Sequence, residues 1–140
     1  MIELLQTALT QYGIKELPGT EQNNPKILKY FKGHAWVKTD ETAWCSAFVD
    51  WCALYSGFEH TQKLNARSWL DVGWEPEHPE SGDIAIFWRE SKSSWKGHVG
   101  IYINKMDDNI NVLGGNQNNS VCIKPYPKSR LLGYRRLKKL

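Results

Sequence analysis

The chain has 140 residues, 41% of them hydrophobic and 24% charged, with a formal net charge of +3. That balance excludes a disordered or fibrous protein and suits a single domain over residues 1–140 with its own core. No run approaches the roughly 18 apolar residues of a membrane span, so membrane insertion is not expected.

In chain order, Ile2, Leu5, Ala8, Leu9 and Tyr12 have the spacing of an amphipathic helix that ends near Gly13. A polar turn over 18–24 precedes Pro25, which suits the first position of a short helix carrying Ile27, Leu28, Tyr30 and Phe31 and closed by Gly33. Thr39, Asp40 and Thr42 are competent N-caps for a third helix, apolar from Ala43 to Tyr55 and stopped by Gly57. Residues 65–70 read as a further short helix. After Pro79 the period becomes extended, and 83–88, 98–103, 110–113 and 121–123 read as strands, with a last one around 132–135. N-terminal helices followed by an antiparallel sheet of about five strands make an α+β fold.

The three cysteines, Cys45, Cys52 and Cys122, lack the even number and regular spacing of a disulfide framework, and a reducing compartment fits them better. Residues 1–5 lack the basic start and apolar run of a secretory signal, which points to synthesis in the cytoplasm. Cys45 falls in the first turn of the third helix, at about the third helical position if Thr42 is the cap. Unpaired N–H groups and the helix dipole there favour a thiolate, the nucleophilic form, and can also hold an oxyanion. The competing reading is a small core residue. Cys52, roughly two turns further on, is assigned to the core, and Cys122 in its strand is read as structural.

A nucleophilic thiol needs an imidazole beside it. Of the four histidines, His34, His60 and His78 lie in polar, turn-like segments and are expected to be exposed. His98 follows Gly97 and opens an apolar strand, where a ring can be held rigidly at a sheet edge. No Cys-x-x-Cys or His-x-x-x-His pair occurs, so neither a metal nor any other cofactor is expected. The seven tryptophans divide between core packing and a sugar or peptide groove. Arg130, Arg135, Arg136, Lys138 and Lys139 form a basic end that suits an anionic polymer or simply a solvated terminus, and nucleic acid has little beyond charge behind it.

Trp44-Cys45-Ser46-Ala47-Phe48-Val49, then Ser81-Gly82-Asp83-Ile84-Ala85-Ile86-Phe87, then Gly97-His98-Val99-Gly100-Ile101-Tyr102 resemble, in the same order, the papain-like cell-wall hydrolases of the NlpC and CHAP groups. Asn24-Pro25, Ala66-Arg67-Ser68-Trp69 and Gly114-Gly115-Asn116-Gln117 are similar to a compact subgroup common in phages and bacteria, and the resemblance covers roughly residues 1–125. It implies a papain-like fold and hydrolysis of peptidoglycan, either at a stem-peptide bond or at the amide joining peptide to sugar, by Cys45 with His98. It also implies a third polar residue on the next strand that orients the ring. Asn116 is favoured, because its carbonyl can fix the tautomer. Gln117 is the alternative, since neighbouring strand residues face opposite ways. Tyr30 is the nearest candidate for an oxyanion-binding tyrosine, Asp83 is expected to brace its strand, and Trp44, Ser46, Arg67 and Trp69 are candidates for the substrate groove. The alternative function is a catalytically inactive cell-wall or protein-binding module. An enzyme of this kind would act on the wall outside the cytoplasm, after release by a phage or injection as a toxin, and an immunity protein would accompany the toxin.

Overall fold

A computed structural model describes residues 2–17, 24–31 and 44–140. The apolar alternation after Pro79 becomes five antiparallel strands: β1 Ile84–Trp88, β2 Gly97–Met106, β3 Asn109–Gln117, β4 Ser120–Pro127 and β5 Leu131–Arg135. They lie in the order β4-β3-β2-β1-β5. Asn118 and Asn119 join β3 to β4 with φ of 51° and 59°, a left-handed pair that asparagine tolerates and a tight hairpin requires. Asp83 is fully buried and takes two 2.9 Å bonds from the Arg136 guanidinium. It thus ties the start of β1 to the chain beyond β5, the bracing role expected of it.

The helices are α1 Ile2–Leu9, α2 Pro25–Leu28 and α3 Cys45–Ser56, with 3₁₀ turns at Lys29–Phe31 and Ala66–Asp71. Asn24 caps α2 by accepting from the Lys26 N–H, with Pro25 in the first turn. Gly57, at φ 84°, ends α3 as expected. The start of α3 differs from expectation: the helix opens at Cys45 itself, after Trp44, not at Ala43. The expected caps Thr39, Asp40 and Thr42, the closing Gly33, most of the polar turn and His34 lie outside the described residues.

α3 is buried on nearly every side along its first two turns, as befits a helix enclosed by other elements. Phe48 and Val49 pack with Ile84, Ile86, Val99, Ile101 and Leu113 on one face of the sheet, and Leu4 and Ala8 of α1 close the same core. The opposite face carries a second cluster of Ala85, Phe87, Tyr102, Ile110 and Val112, covered by Tyr126, Leu131 and Tyr134. Among the described residues no helix is long and apolar enough to cross a membrane.

Candidate active site

Cys45 is the first residue of α3, so the free N–H groups of the opening turn surround its thiol. Backbone N–H groups of Val99, Ser46 and Cys45 itself favour the thiolate, and so does the positive charge of Arg89. Burial outweighs them all. The sulfur's residue is 5% exposed and the thiol is pushed above its ordinary range. The expectation of a thiol acidified by the helix start is therefore corrected: burial raises the Cys45 thiol despite the N–H groups that favour the thiolate.

His98 lies at the start of β2 opposite Phe87 of β1, and its ring stacks on Tyr126 at 4.7 Å. Nε2 of the ring meets Oε1 of Gln117 at 2.9 Å. The Gln117 amide nitrogen donates to the carbonyls of Val112 and Cys122, which leaves only its oxygen for the ring. His98 thus carries its proton on Nε2, and Nδ1 is the free base. Burial lowers the ring to about 4, and Arg89 and Lys124 push the same way against the Gln117 bond. Burial thus favours the neutral form of both the thiol and the imidazole. The Val99 amide that reaches the sulfur belongs to the residue next to His98, but no hydrogen bond joins Cys45 to the ring.

A bulge puts Gln117, the alternative to Asn116, against the ring. The Ile101–Leu113 register, continued without interruption, would set residue 116 opposite His98. Pairing with β4 shifts between Gly114 and Gln117, and Asn116 turns left-handed at φ 56°, so Gln117 takes that place instead. Gly114 makes it possible, because a Cβ there would lie 2.5 Å from Gln117 Oε1.

Other expected site residues serve the core. Trp44 is fully buried and donates from Nε1 to Glu16 at 2.7 Å. It packs so closely on β3 that a Cβ at Gly115 would meet its ring at 2.7 Å. Ser46 accepts from Trp69 Nε1 at 2.8 Å and donates to the Lys63 carbonyl, and both Ser46 and Trp69 are buried. The Tyr30 hydroxyl donates to Gln11 at 2.9 Å while its ring packs on Trp44, Phe48 and Trp51. All four side chains are buried. Arg67 lies outside the groove but holds the loop that borders it, donating to the carbonyls of Ser91, Lys92 and Lys96. Cys52 is core, as expected, and Cys122 is half-buried with its thiol donating to the Gln117 carbonyl. His78 is exposed, whereas His60 is half-buried and bonded to Asp50 at 3.1 Å, unlike the exposed residue expected.

Two clefts meet at this site. Cys45 borders one of about 270 Å³ with Leu64, Asn65, Ala66, Trp95 and Lys96. His98 borders another of about 200 Å³ with Trp88, Asn116, Lys124, Tyr126 and Arg130. Arg89, just past β1, lines both. Sequence reasoning missed Arg89 and Lys124, and named Arg130 only as part of a basic end. The one available signal was position: Arg89 follows β1 directly, two residues past the ladder partner of His98.

A thiol at the mouth of a buried helix packed on an antiparallel sheet, with a sheet histidine held by an amide side chain, fits the papain-like class of α+β domain. The chain belongs to the CHAP domain family, whose model matches residues 37–116, and with it to the NlpC/CHAP superfamily of cell-wall hydrolases. No curated protein sequence matches it. Among solved structures it is similar to a Staphylococcus aureus subsp. aureus Mu50 protein described as similar to a lipoprotein of the NLP/P60 family, with a TM-score of 0.54 and 18% identity. The match covers 96% of this chain and 40% of that one, so the chain spans less than half the length of that protein. At that identity the likeness is one of fold.

Proposed function

We propose that this chain, as one unit over 1–140, is a peptidoglycan hydrolase that cuts an amide bond of the wall peptide by a thiol mechanism. The thiol of Cys45 passes its proton to Nδ1 of His98 as sulfur bonds to the amide carbon, and N–H groups at the start of α3 stabilise the oxyanion. The imidazolium returns that proton to the departing nitrogen as the C–N bond breaks. Water, deprotonated by the same ring, then releases the acid from the thioester. Gln117 is the positioning residue that keeps Nδ1 free. Because thiol and ring start neutral and without a hydrogen bond between them, the bond has to form when substrate enters.

The 2.9 Å His98–Gln117 bond carries this reading, since it leaves Nδ1 of the ring as the free base in a domain whose thiol opens a buried helix. Cys45→Ala and His98→Ala are expected to abolish release of fragments from purified peptidoglycan while keeping the fold. Lysis retained by a folded Cys45→Ala protein would falsify the mechanism. Mass spectrometry of the fragments distinguishes a stem-peptide endopeptidase from an N-acetylmuramoyl-L-alanine amidase. The wall lies outside the cytoplasm, so the enzyme acts after phage-mediated release or after injection as a toxin, and an immunity protein accompanies only the second.

The missing Cys45–His98 hydrogen bond favours one other reading, a wall-binding module that keeps the fold without the reaction. Peptidoglycan bound by the wild-type chain with no fragment released would establish it.

A further inference from the structure

The two clefts differ in character. Cys45 shares its cleft with Leu64, Ala66 and the exposed ring of Trp95. The His98 cleft contains Arg89, Lys124 and Arg130, and among the described residues no carboxylate lines it. The Arg89 guanidinium has no ion pair and no hydrogen bond among the described residues. Lys124 reaches only Asn118, at 3.5 Å, and lies 5.6 Å from the centre of the Tyr126 ring. Arg130 sits 4.9 Å from the centre of the Trp88 ring, whose buried indole N–H has no partner. Three cations around one cavity repel each other, and no carboxylate of the described residues offsets them. An anion supplies the charge that all three are missing.

The chemistry of the proposed reaction decides which half of the substrate enters. The protonated ring must hand its proton to the departing nitrogen, so that nitrogen lies on the side of His98. The rest of the leaving amine then extends into the cleft that His98 borders. The acyl half, bonded to sulfur, follows the cleft that Cys45 borders.

We infer that Arg89, Lys124 and Arg130 form a subsite for a free carboxylate on the leaving-amine half of the substrate. The preferred bond is then an amide whose departing residue carries an unblocked carboxyl group close to the released nitrogen. Guanidinium groups pair with a carboxylate through two parallel bonds, and the lysine adds a point charge. The same carboxyl group masked as a carboxamide would meet three cations with no charge to offer. This assignment rests on the hydrolase reading above.

The test uses two synthetic stem peptides that differ only in that group, free carboxylate or carboxamide. At low salt the wild-type kcat/KM is expected to favour the carboxylate peptide at least about tenfold, with the ratio shrinking as salt rises. The triple variant Arg89→Gln, Lys124→Gln, Arg130→Gln, checked for folding by thermal denaturation, should bring the ratio close to one. Both peptides cut equally by the wild type, or a ratio unchanged in the triple variant, overturns the subsite and leaves the hydrolase standing. Calorimetric binding of both peptides to the Cys45→Ala protein gives a second readout. Carboxylate-dependent binding without cleavage by the wild type supports the anion site and sinks the hydrolase reading. Neither cleavage nor carboxylate-dependent binding ends both.

Discussion

Gln117 is pinned by its amide nitrogen before it meets His98. That nitrogen donates to Val112 at 3.1 Å and Cys122 at 2.6 Å, and the opposite atom of the same amide receives Nε2 of the ring at 2.9 Å. An amide free to flip would offer the ring a donor half the time. One anchored at both β3 and β4 offers only an acceptor, so the backbone of two strands dictates the tautomer of a side chain on a third.

Gln117→Ala is expected to lower kcat/KM on peptidoglycan by about 30-fold, the equivalent of one bond of about 2 kcal/mol to a ring that becomes charged during reaction. Asn116→Gly, which keeps the left-handed backbone and removes only the side chain, should cost less. Initial rates of fragment release compare them. A larger loss at position 116 than at 117 would show that the bulge puts the wrong residue on the ring.

Gly114 gives a sharper test of the same contact. A methyl group there would lie 2.5 Å from Oε1 and 3.0 Å from Cδ of Gln117, forcing the amide away from His98. Gly114→Ala should therefore lower activity about as far as Gln117→Ala does, with an overpacking cost of about 1–3 kcal/mol in stability. The double variant is expected to be no less active than Gln117→Ala alone, because the methyl group then has nothing left to displace. Additive losses in such a cycle would place the glycine's effect elsewhere.

The course of the fold was readable because its signals are periodic: all five strands and the helix stop at Gly57 lie where alternation and turn residues put them. Cys45 and His98 were readable through their places at the opening of a helix and of a strand. Gln117 was harder, because simple alternation carries no sign of a bulge and the bulge decides which neighbour faces the ring. The burial of Trp44, Ser46 and Trp69 was illegible for another reason. A polar atom on a large residue suits a groove as well as a core, and only the partners choose: Glu16 for Trp44, and the Lys63 carbonyl and Ser46 hydroxyl for the other two. The acidity of Cys45 failed on a matter of magnitude. The helix start does favour the thiolate, but burial of the sulfur is the larger effect, and burial is invisible in the position of a residue along a helix.

The depressed ring fixes a pH dependence. Burial, with Arg89 and Lys124, holds His98 near 4, so Nδ1 remains a competent base well below neutrality. The acid limb of kcat/KM is expected nearer pH 4–5 than the roughly 6.5 of a free imidazole. Stability runs the same way. Between 6.5 and about 4 the unfolded chain binds the proton that the folded ring refuses, so stability falls as pH is lowered through that window and gains nothing further above it. At pH 5 the loss from this group is about 2 kcal/mol. Urea denaturation at pH 7.5 and pH 5 of the Cys45→Ala protein, with and without His98→Gln, isolates it. An equal loss in both proteins would mean that the ring titrates normally.

Arg67 joins the 3₁₀ turn at Ala66–Asp71 to the loop that borders the thiol. Its three donors reach the carbonyls of Ser91, Lys92 and Lys96 at 3.0, 2.7 and 3.0 Å, and that loop brings Trp95 and Lys96 to the Cys45 cleft. Those carbonyls belong to exposed residues, so water can replace the guanidinium and global stability should change by no more than about 1 kcal/mol in Arg67→Ala. The loop itself loses its clamp. It should become the preferred point of proteolytic nicking, and KM should rise several-fold while kcat changes less, because the wall of the cleft is loosened and the thiol is not. Arg67→Lys should behave like Arg67→Ala, since one ammonium on a flexible stem cannot hold three carbonyls in a fixed fork. Rescue by lysine would mean that charge, not the fork, holds the loop. An unchanged KM in both variants would separate the loop from the substrate altogether.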